Sequence, residues 1–249
     1  MEINNSVEVG EHFDKNWERY LRSIHNNFLY HQEMFSMFDK FLKEHFDNKP
    51  FALADMGCGD GSVILGALMN KPITQYIGVD AAADLMHKAP QVLDSLTCDK
   101  QFICGDMAQV IKTLPTLDII FCSYALHHLS HESKVAFILD CKNKLADNGF
   151  LILVDGVLAQ NQTRDEWLAA LEKRYFEATP NHTEDELASF RKHVHNDDFP
   201  EAIDTYRQIA ESQHWGNFEV LIDKGIFAFM VFSKHHQTNA SRACVEIFQ

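Results

Sequence analysis

The 249-residue sequence contains no apolar run approaching the ~20 residues that a bilayer-spanning helix needs, so insertion into a membrane is not expected. Its opening stretch, MEINNSVEVGEHF, has neither a basic leader nor an apolar core, and without a secretory signal the expected location is cytoplasmic. The six cysteines, Cys58, Cys98, Cys104, Cys122, Cys141 and Cys244, lack Cys-x-x-Cys spacing. Three fall in or beside predicted strands, which suits reduced core thiols rather than disulfides or zinc, and no metal site is assigned. Positive charge is scarce: 22 Lys and Arg face 36 Asp and Glu, for a net charge of −14. A phosphate-backbone partner requires a basic face, so nucleic acid is disfavoured and a small-molecule partner favoured. There is no internal repeat, low-complexity tract or linker. With 46% hydrophobic residues and 19 Phe the chain can bury a substantial core, and one domain over residues 1–249 is expected.

What the sequence does have is centred on residues 51–62, FALADMGCGDGS. Phe51 to Met56, bounded by Pro50 and Gly57, is too short for an independent helix and reads as a buried parallel strand. Gly57, Gly59 and Gly61 then let the backbone turn through conformations that a Cβ forbids and approach a ligand closely. A helix from about Ser62 to Met69 points its N-terminal amides into the same space, which favours a carboxylate or phosphate there. The next short apolar run, Tyr76 to Val79, ends in Asp80, about 20 residues past the loop, where α/β nucleoside binders place an acid for ribose hydroxyls.

An acid two residues before a Gly-x-Gly-x-Gly loop, here Asp55 then Gly57-Cys58-Gly59-Asp60-Gly61, resembles the first motif of the class I S-adenosylmethionine-dependent methyltransferases. The dinucleotide fingerprint needs two residues between its second and third glycines, and this loop has one, so a nicotinamide or flavin ranks second. The resemblance covers residues 50–156. It implies S-adenosylmethionine as cofactor, held by Asp55, Gly57, Cys58, Gly59, Gly61, Asp80, Ala81, Asp106, Met107 and Ser123. It also implies an α/β fold: a Rossmann-like seven-stranded sheet with helices on both faces, a helical N-terminal lid, and a helical insertion before the last two strands. The seventh strand would run antiparallel, inserted before the sixth.

Along the chain, apolar residues at helical spacing over 10–47 predict one broken or two successive helices. In the resembled family such a helix lies over the cofactor cleft. Trp17 and Tyr20 are therefore candidates to cover the sulfonium or substrate, with Arg19, Arg22, Tyr30 or His31 meeting the methionine carboxylate; the alternative is that the stripe is simply core. Ala82 to Ala89 is a short helix ended by Pro90. A strand at Gln101 to Cys104 leads to Asp106, which either accepts the adenine amino group or caps the following helix. Leu117 to Ser123 is an unbroken apolar strand, expected to be covered on both faces. Tyr124, His127 and His128 follow it at the carboxyl edge of the sheet, where ligands bind, and are the candidate catalytic residues. Ser130 caps a helix to about Leu145 that Asn148-Gly149 ends, and Phe150 to Val154 is the fifth strand.

Residues 157–215 form the insertion. Capping-box patterns at Thr163 to Glu166 and Thr183 to Glu186 start two helices, and Pro200 opens a third through Trp215. Tyr175, Arg191, His193, His195, Tyr206 and Arg207 give it the chemistry to recognise an acceptor, set against a plain structural cap. Phe218 to Ile222 and Phe227 to Phe232 make a terminal hairpin within 217–233. In the tail, Val245, Ile247 and Phe248 are candidates for docking.

The function expected is methyl transfer to a small molecule, with nitrogen of an amino-acid-like metabolite slightly favoured over oxygen. Related quinone O-methyltransferases carry Glu-x-x-Glu-His and a divalent cation after the fourth strand. Tyr124-x-x-His127-His128 lacks both carboxylates, which argues against a metal there. A non-catalytic S-adenosylmethionine-binding domain, an enzyme using an altered sulfonium, and one modifying protein or tRNA remain as alternatives.

Overall fold

The computed structural model describes residues 5–235. Cys244 and the proposed docking residues Val245, Ile247 and Phe248 lie outside them. The sheet runs β3 (Asp99–Cys104), β2 (Ile73–Asp80), β1 (Phe51–Met56), β4 (Leu117–Ser123), β5 (Leu145–Leu158), β8 (Phe227–Ser233), β7 (Asn217–Asp223). The first five are parallel, while β8 pairs antiparallel with both β5 and β7. That is the expected topology. An eighth strand, the two-residue β6 (Glu201–Ala202), pairs with the far end of β5.

Period-two alternation sorts the central strands into two cores. Ile119 and Phe121 of β4 face one layer, with α2 (His31–Phe46), α3 (Ser62–Leu68) and α7 (Arg164–Ala178); Ile120 and Cys122 face the other, with α6 (His131–Lys144) and α9 (Ile203–Ser212). The remaining helices are α1 (Asn5–His25), α4 (Ala83–Val92), the single turn α5 (Met107–Val110) and α8 (Glu184–Asp197). Both capping boxes form, at Thr163 with Glu166 and at Thr183 with Glu186. The five described cysteines are free thiols.

Several boundaries differ from expectation for identifiable reasons. Pro90 lies inside α4: it removes one donor, but Leu93 N–H still reaches the Ala89 carbonyl and the last turn survives. Asn148-Gly149 does not cap α6, because buried Leu145 already turns into β5 and pairs with Leu117. Gly149 instead sits in a tight bend of that strand, where a Cβ would lie 3.0 Å from the Ala146 carbonyl oxygen. The third insertion helix begins at Ile203, after β6, and stops at Ser212 rather than Trp215.

The N-terminal helices are two, α1 and α2. Asn27 and Tyr30 between them adopt left-handed backbone with φ of 54° and 59°. Asn27 tolerates this by local hydrogen bonding: its Oδ1 accepts from Gln32 N–H and its amide donates to Glu33. Helix α1 then lies across the carboxyl edge of the sheet, where Gly10 meets the backbone after β2. A Cβ on Gly10 would stand 2.6 Å from the Ala81 carbonyl oxygen, a backbone atom that cannot swing aside. Gly10→Ala is therefore expected to lift the first turns of α1. Amide exchange in that helix should quicken about tenfold or more, equivalent to about 1.4 kcal/mol of local stability. Unchanged exchange would show that the helix does not depend on this contact.

Candidate active site

The loop after β1 is shaped by Asp80 at the end of β2. One carboxylate oxygen accepts Gly59 N–H at 2.7 Å and the other accepts Ala82 N–H at 2.8 Å. Val79 carbonyl receives Gly57 and Cys58 N–H, which fastens the loop to β2. All three loop glycines have positive φ, from 57° to 79°. Burial pushes the Asp80 carboxyl above its ordinary range, against the pull of its backbone donors.

Above the loop is a cavity of about 720 Å³ bordered by Asp55, Gly57, Cys58, Gly59, Asp80, Ala81, Asp106, Met107 and Ser123. Nine of the ten expected cofactor residues thus meet in one place. The tenth, Gly61, is off the wall: it turns the chain into α3 and leaves room for Leu93, whose Cδ1 a Cβ would approach to 2.6 Å. Asp106 caps α5 by accepting Ala108 N–H at 2.8 Å through Oδ1. Its Oδ2 makes no hydrogen bond among the described residues, so capping and a ligand can divide the two oxygens. Val63 and Ile64, in the first turn of α3, also border this space.

Helix α1 roofs the cavity. Trp17 lies so close against Gly59 that a Cβ there would be 2.4 Å from the indole Cη2, and its Nε1–H donates to Asp60 at 2.8 Å. Asp60 Oδ1 accepts Ser62 N–H, so one side chain both starts α3 and locks the roof. In this structure the group resting on Gly59 is the Trp17 ring. Tyr20 stacks on Trp17 at 5.1 Å. Arg19, Arg22, Tyr30 and His31 do not border the cavity: Arg19 donates to Ser189, Arg22 pairs with Glu186, Tyr30 lies under Arg174, and His31 is buried against Tyr124. Burial takes the His31 pKa down to about 3, so it is neutral and not an anion partner.

A second cavity of about 100 Å³ lies beneath α1 toward α7 and α8, sharing the walls Phe13, Tyr20 and Tyr124 with the first. The adjacent histidines separate here: His128 borders the larger cavity and His127 the smaller. His127 Nδ1 is hydrogen-bonded to the fully buried Asp155. Burial opposes charge on His127, but the carboxylates of Asp155 and Asp198 outweigh it and raise its pKa. His128 Nδ1 is 3.0 Å from the Asp197 carbonyl oxygen. Burial, then His127 and His193, pushes the His128 pKa well down. Tyr124 donates its hydroxyl to the Leu29 carbonyl at 2.6 Å, so only its ring is offered to ligands.

Of the insertion residues, Tyr175 and His193 border the second cavity and the others do not. Arg191 and His195 pair with Glu172 on the outside of α8. Tyr206 is fully buried in the opposite core, and Arg207 lies exposed beside Asp204, because α9 packs on the far face of the sheet. Gly10, Asp60, Asp155 and Asp198 were missed. Asp60 carried a signal, as an Asx residue two before a helix start. Asp155 and Asp198 carried none: only the fold brings them to His127.

The family described as "Methyltransferase domain" matches residues 53–149. An uncharacterised methyltransferase of Oceanobacillus iheyensis is 24% identical over 166 residues, covering 67% of this chain and 75% of the relative. The carboxy-S-adenosyl-L-methionine synthase of Helicobacter hepaticus is 21% identical over 183 residues, covering 72% and 74%. Among solved structures, the plantazolicin methyltransferase BamL, in complex with a triazolic desmethylPZN analog and SAH, superposes with a TM-score of 0.61 at 15% identity, covering 94% of this chain and 98% of that one. The fold is a Rossmann-like α/β fold with a glycine-loop cleft. Residues 53–149 are a methyltransferase domain, and the motifs around the cleft are those of the class I S-adenosylmethionine-dependent methyltransferases. No helix among the described residues is long and apolar enough to cross a membrane.

The cavity fits the cofactor on its own evidence. Asp55 Oδ1 is buried at its edge without a hydrogen-bond partner, while Oδ2 accepts the Tyr76 hydroxyl at 3.0 Å. An ammonium group would satisfy that orphaned oxygen. Burial lifts the Asp55 pKa to about 7, so the empty folded state resists its ionisation. A folded pKa above the unfolded one means stability is full below pH ~4 and is lost as pH rises toward ~7. Asp55→Asn removes that loss. Its melting temperature should exceed that of the native chain at pH about 8 and match it near pH 4, while calorimetry shows S-adenosylhomocysteine binding weakened about tenfold or more. Equal affinity in the variant would remove Asp55 from the ligand site.

Proposed function

We propose that the enzyme methylates a nitrogen on a small, amino-acid-like acceptor seated where the two cavities meet. The observation that carries this reading is the histidine and aspartate cluster at that junction. Asp155, Asp197 and Asp198 make it a place for a cationic or proton-bearing group, whereas an oxygen acceptor deprotonated for attack would put an oxyanion beside three carboxylates. Neutral imidazole suits removal of a proton from such a nitrogen.

Bound S-adenosylmethionine supplies an electrophilic methyl group. Asp80 and the loop amides hold the nucleoside end, Asp106 Oδ2 takes the adenine amino group, and Asp55 takes the ammonium. Trp17 and Tyr20 exclude water above the reacting groups and hold the two ligands in register, which is the larger part of what such a transfer needs. His128 is placed to take the acceptor's proton. With Nδ1–H donated to the Asp197 carbonyl, its Nε2 lone pair is free, and that atom is buried without a partner. His127, fixed by Asp155, orients the acceptor from the second cavity, which Tyr175 closes. A carboxymethylated sulfonium is disfavoured, because its extra carboxylate needs a cation and the described wall of the larger cavity carries no lysine or arginine.

Two variants at saturating cofactor test the assignment. His128→Asn should lower turnover about 10²-fold and abolish the acidic limb of the pH profile. In the native enzyme that limb should fall below pH ~6.5, because burial and two neighbouring imidazoles lower the His128 pKa. His127→Asn should chiefly raise the acceptor KM. Normal turnover and pH dependence in His128→Asn would leave the transfer to proximity alone.

A further inference from the structure

Asp198 stands at the centre of the cluster in an unusual position. It is 5% exposed, and its Oδ1 has no hydrogen-bond partner. Three imidazole nitrogens nevertheless point at that oxygen: His128 Nδ1 at 3.5 Å, His127 Nε2 at 3.7 Å and His193 Nε2 at 3.8 Å. These spacings are too long for good hydrogen bonds and close to the separation of about 3.4 Å between ligands that share one tetrahedral ion at about 2.1 Å. The donor atoms of His127, His128 and Asp198 all lie within 4.8 Å of one another.

The outer nitrogens are also arranged for a cation. His127 Nδ1 is held by Asp155, and His193 Nδ1 lies 3.1 Å from Asp197 Oδ2. Each carboxylate keeps a proton on Nδ1 and leaves the Nε2 lone pair turned toward Asp198, as carboxylate partners do for metal-binding histidines. Lone pairs facing a buried carboxylate repel unless something positive lies between them. The frame is rigid. Arg164 donates to the carbonyls of Val194, His195 and Asp198, Phe199 N–H donates to the His127 carbonyl, and the buried Lys134 ammonium donates to the Phe199 carbonyl. The cluster thus joins the segment after β4 to the end of α8, through residues far apart in sequence.

Against the expectation drawn from the two missing carboxylates, we infer that His127, His128 and Asp198, with His193 beside Asp198, form a binding site for one divalent first-row transition ion, of which zinc suits the imidazole-rich set. An ion on Nδ1 of His128 displaces that atom's hydrogen bond to the Asp197 carbonyl and leaves the proton of the ring on Nε2, so metal binding and proton acceptance exclude each other there. The ion is therefore an inhibitor of the transfer, and that consequence alone rests on the function proposed above.

Zinc binding to the native chain, followed by competition with a chromophoric chelator, should give one ion per chain, and cobalt should give visible ligand-field bands of a tetrahedral site. Asp198→Asn and His193→Gln should each weaken zinc about tenfold or more, consistent with the loss of a ligand or its partner. His195→Gln, outside the cluster, should not. Binding of S-adenosylhomocysteine by each variant verifies folding, and a zinc-induced rise in the native melting temperature tests the site without any substitution. Filling the site should depress turnover about 10²-fold, reversed by chelation. Failure of the native chain to bind zinc stoichiometrically, or equal affinity in Asp198→Asn, overturns the site even if methyl transfer is intact. Stoichiometric zinc with no S-adenosylhomocysteine binding would instead overturn the methyltransferase reading and keep the site. Full occupancy without loss of turnover would remove His128 from the ligand set.

Discussion

The Asp80 carboxylate is the constraint on which the cleft depends. It ends β2, yet its two oxygens hold the amides of Gly59 and Ala82, so the loop after β1 and the turn before α4 are fixed to one side chain. Asp60 adds to this by accepting Ser62 N–H at the far end of the loop. Helix α1 then docks on the surface this makes, Gly10 against Ala81 and Trp17 against Gly59. A charge placed at a strand end thereby organises a loop, a helix start and a lid in turn.

The second organising feature is electrostatic and less economical. Burying Asp155 and Asp198 beside the partly exposed Asp197 and four imidazoles, with His12 stacked on His193 at 4.2 Å, is costly unless protons or ligands balance the charge. Burial, then His193 and Arg19, lowers His12 to a pKa of about 4, which removes one positive charge from the group. Clusters of this kind persist at sites where the imbalance is used. The proposed acceptor chemistry and the proposed ion site both draw on that imbalance.

The fold was legible because its signals are local. Apolar runs bounded by glycine and proline marked β1, β2 and β4, and paired Thr and Glu marked the starts of α7 and α8. Where a local signal was overruled, a buried side chain did it, as Leu145 did when it ended α6 before Asn148-Gly149. The wall of the larger cavity was legible for the same reason, since the expected residues that border it lie within three positions of strand ends. The acceptor side was not. Tyr206 and Arg207 sit on a helix whose own pattern cannot say which face of the sheet it covers, whereas Asp155 and Asp198 reach His127 across 28 and 71 residues of chain. Of the two histidines, spacing showed that they diverge but not toward which cavity.

One helix, α1, covers both cavities, and its Phe13 and Tyr20 border both. A roof common to two rooms gives them a common door. The joint at residues 26–30 is held by Arg174, which donates to the Asn27 and Phe28 carbonyls and so anchors that end of the helix. Any opening of α1 away from the larger cavity therefore opens the smaller one as well.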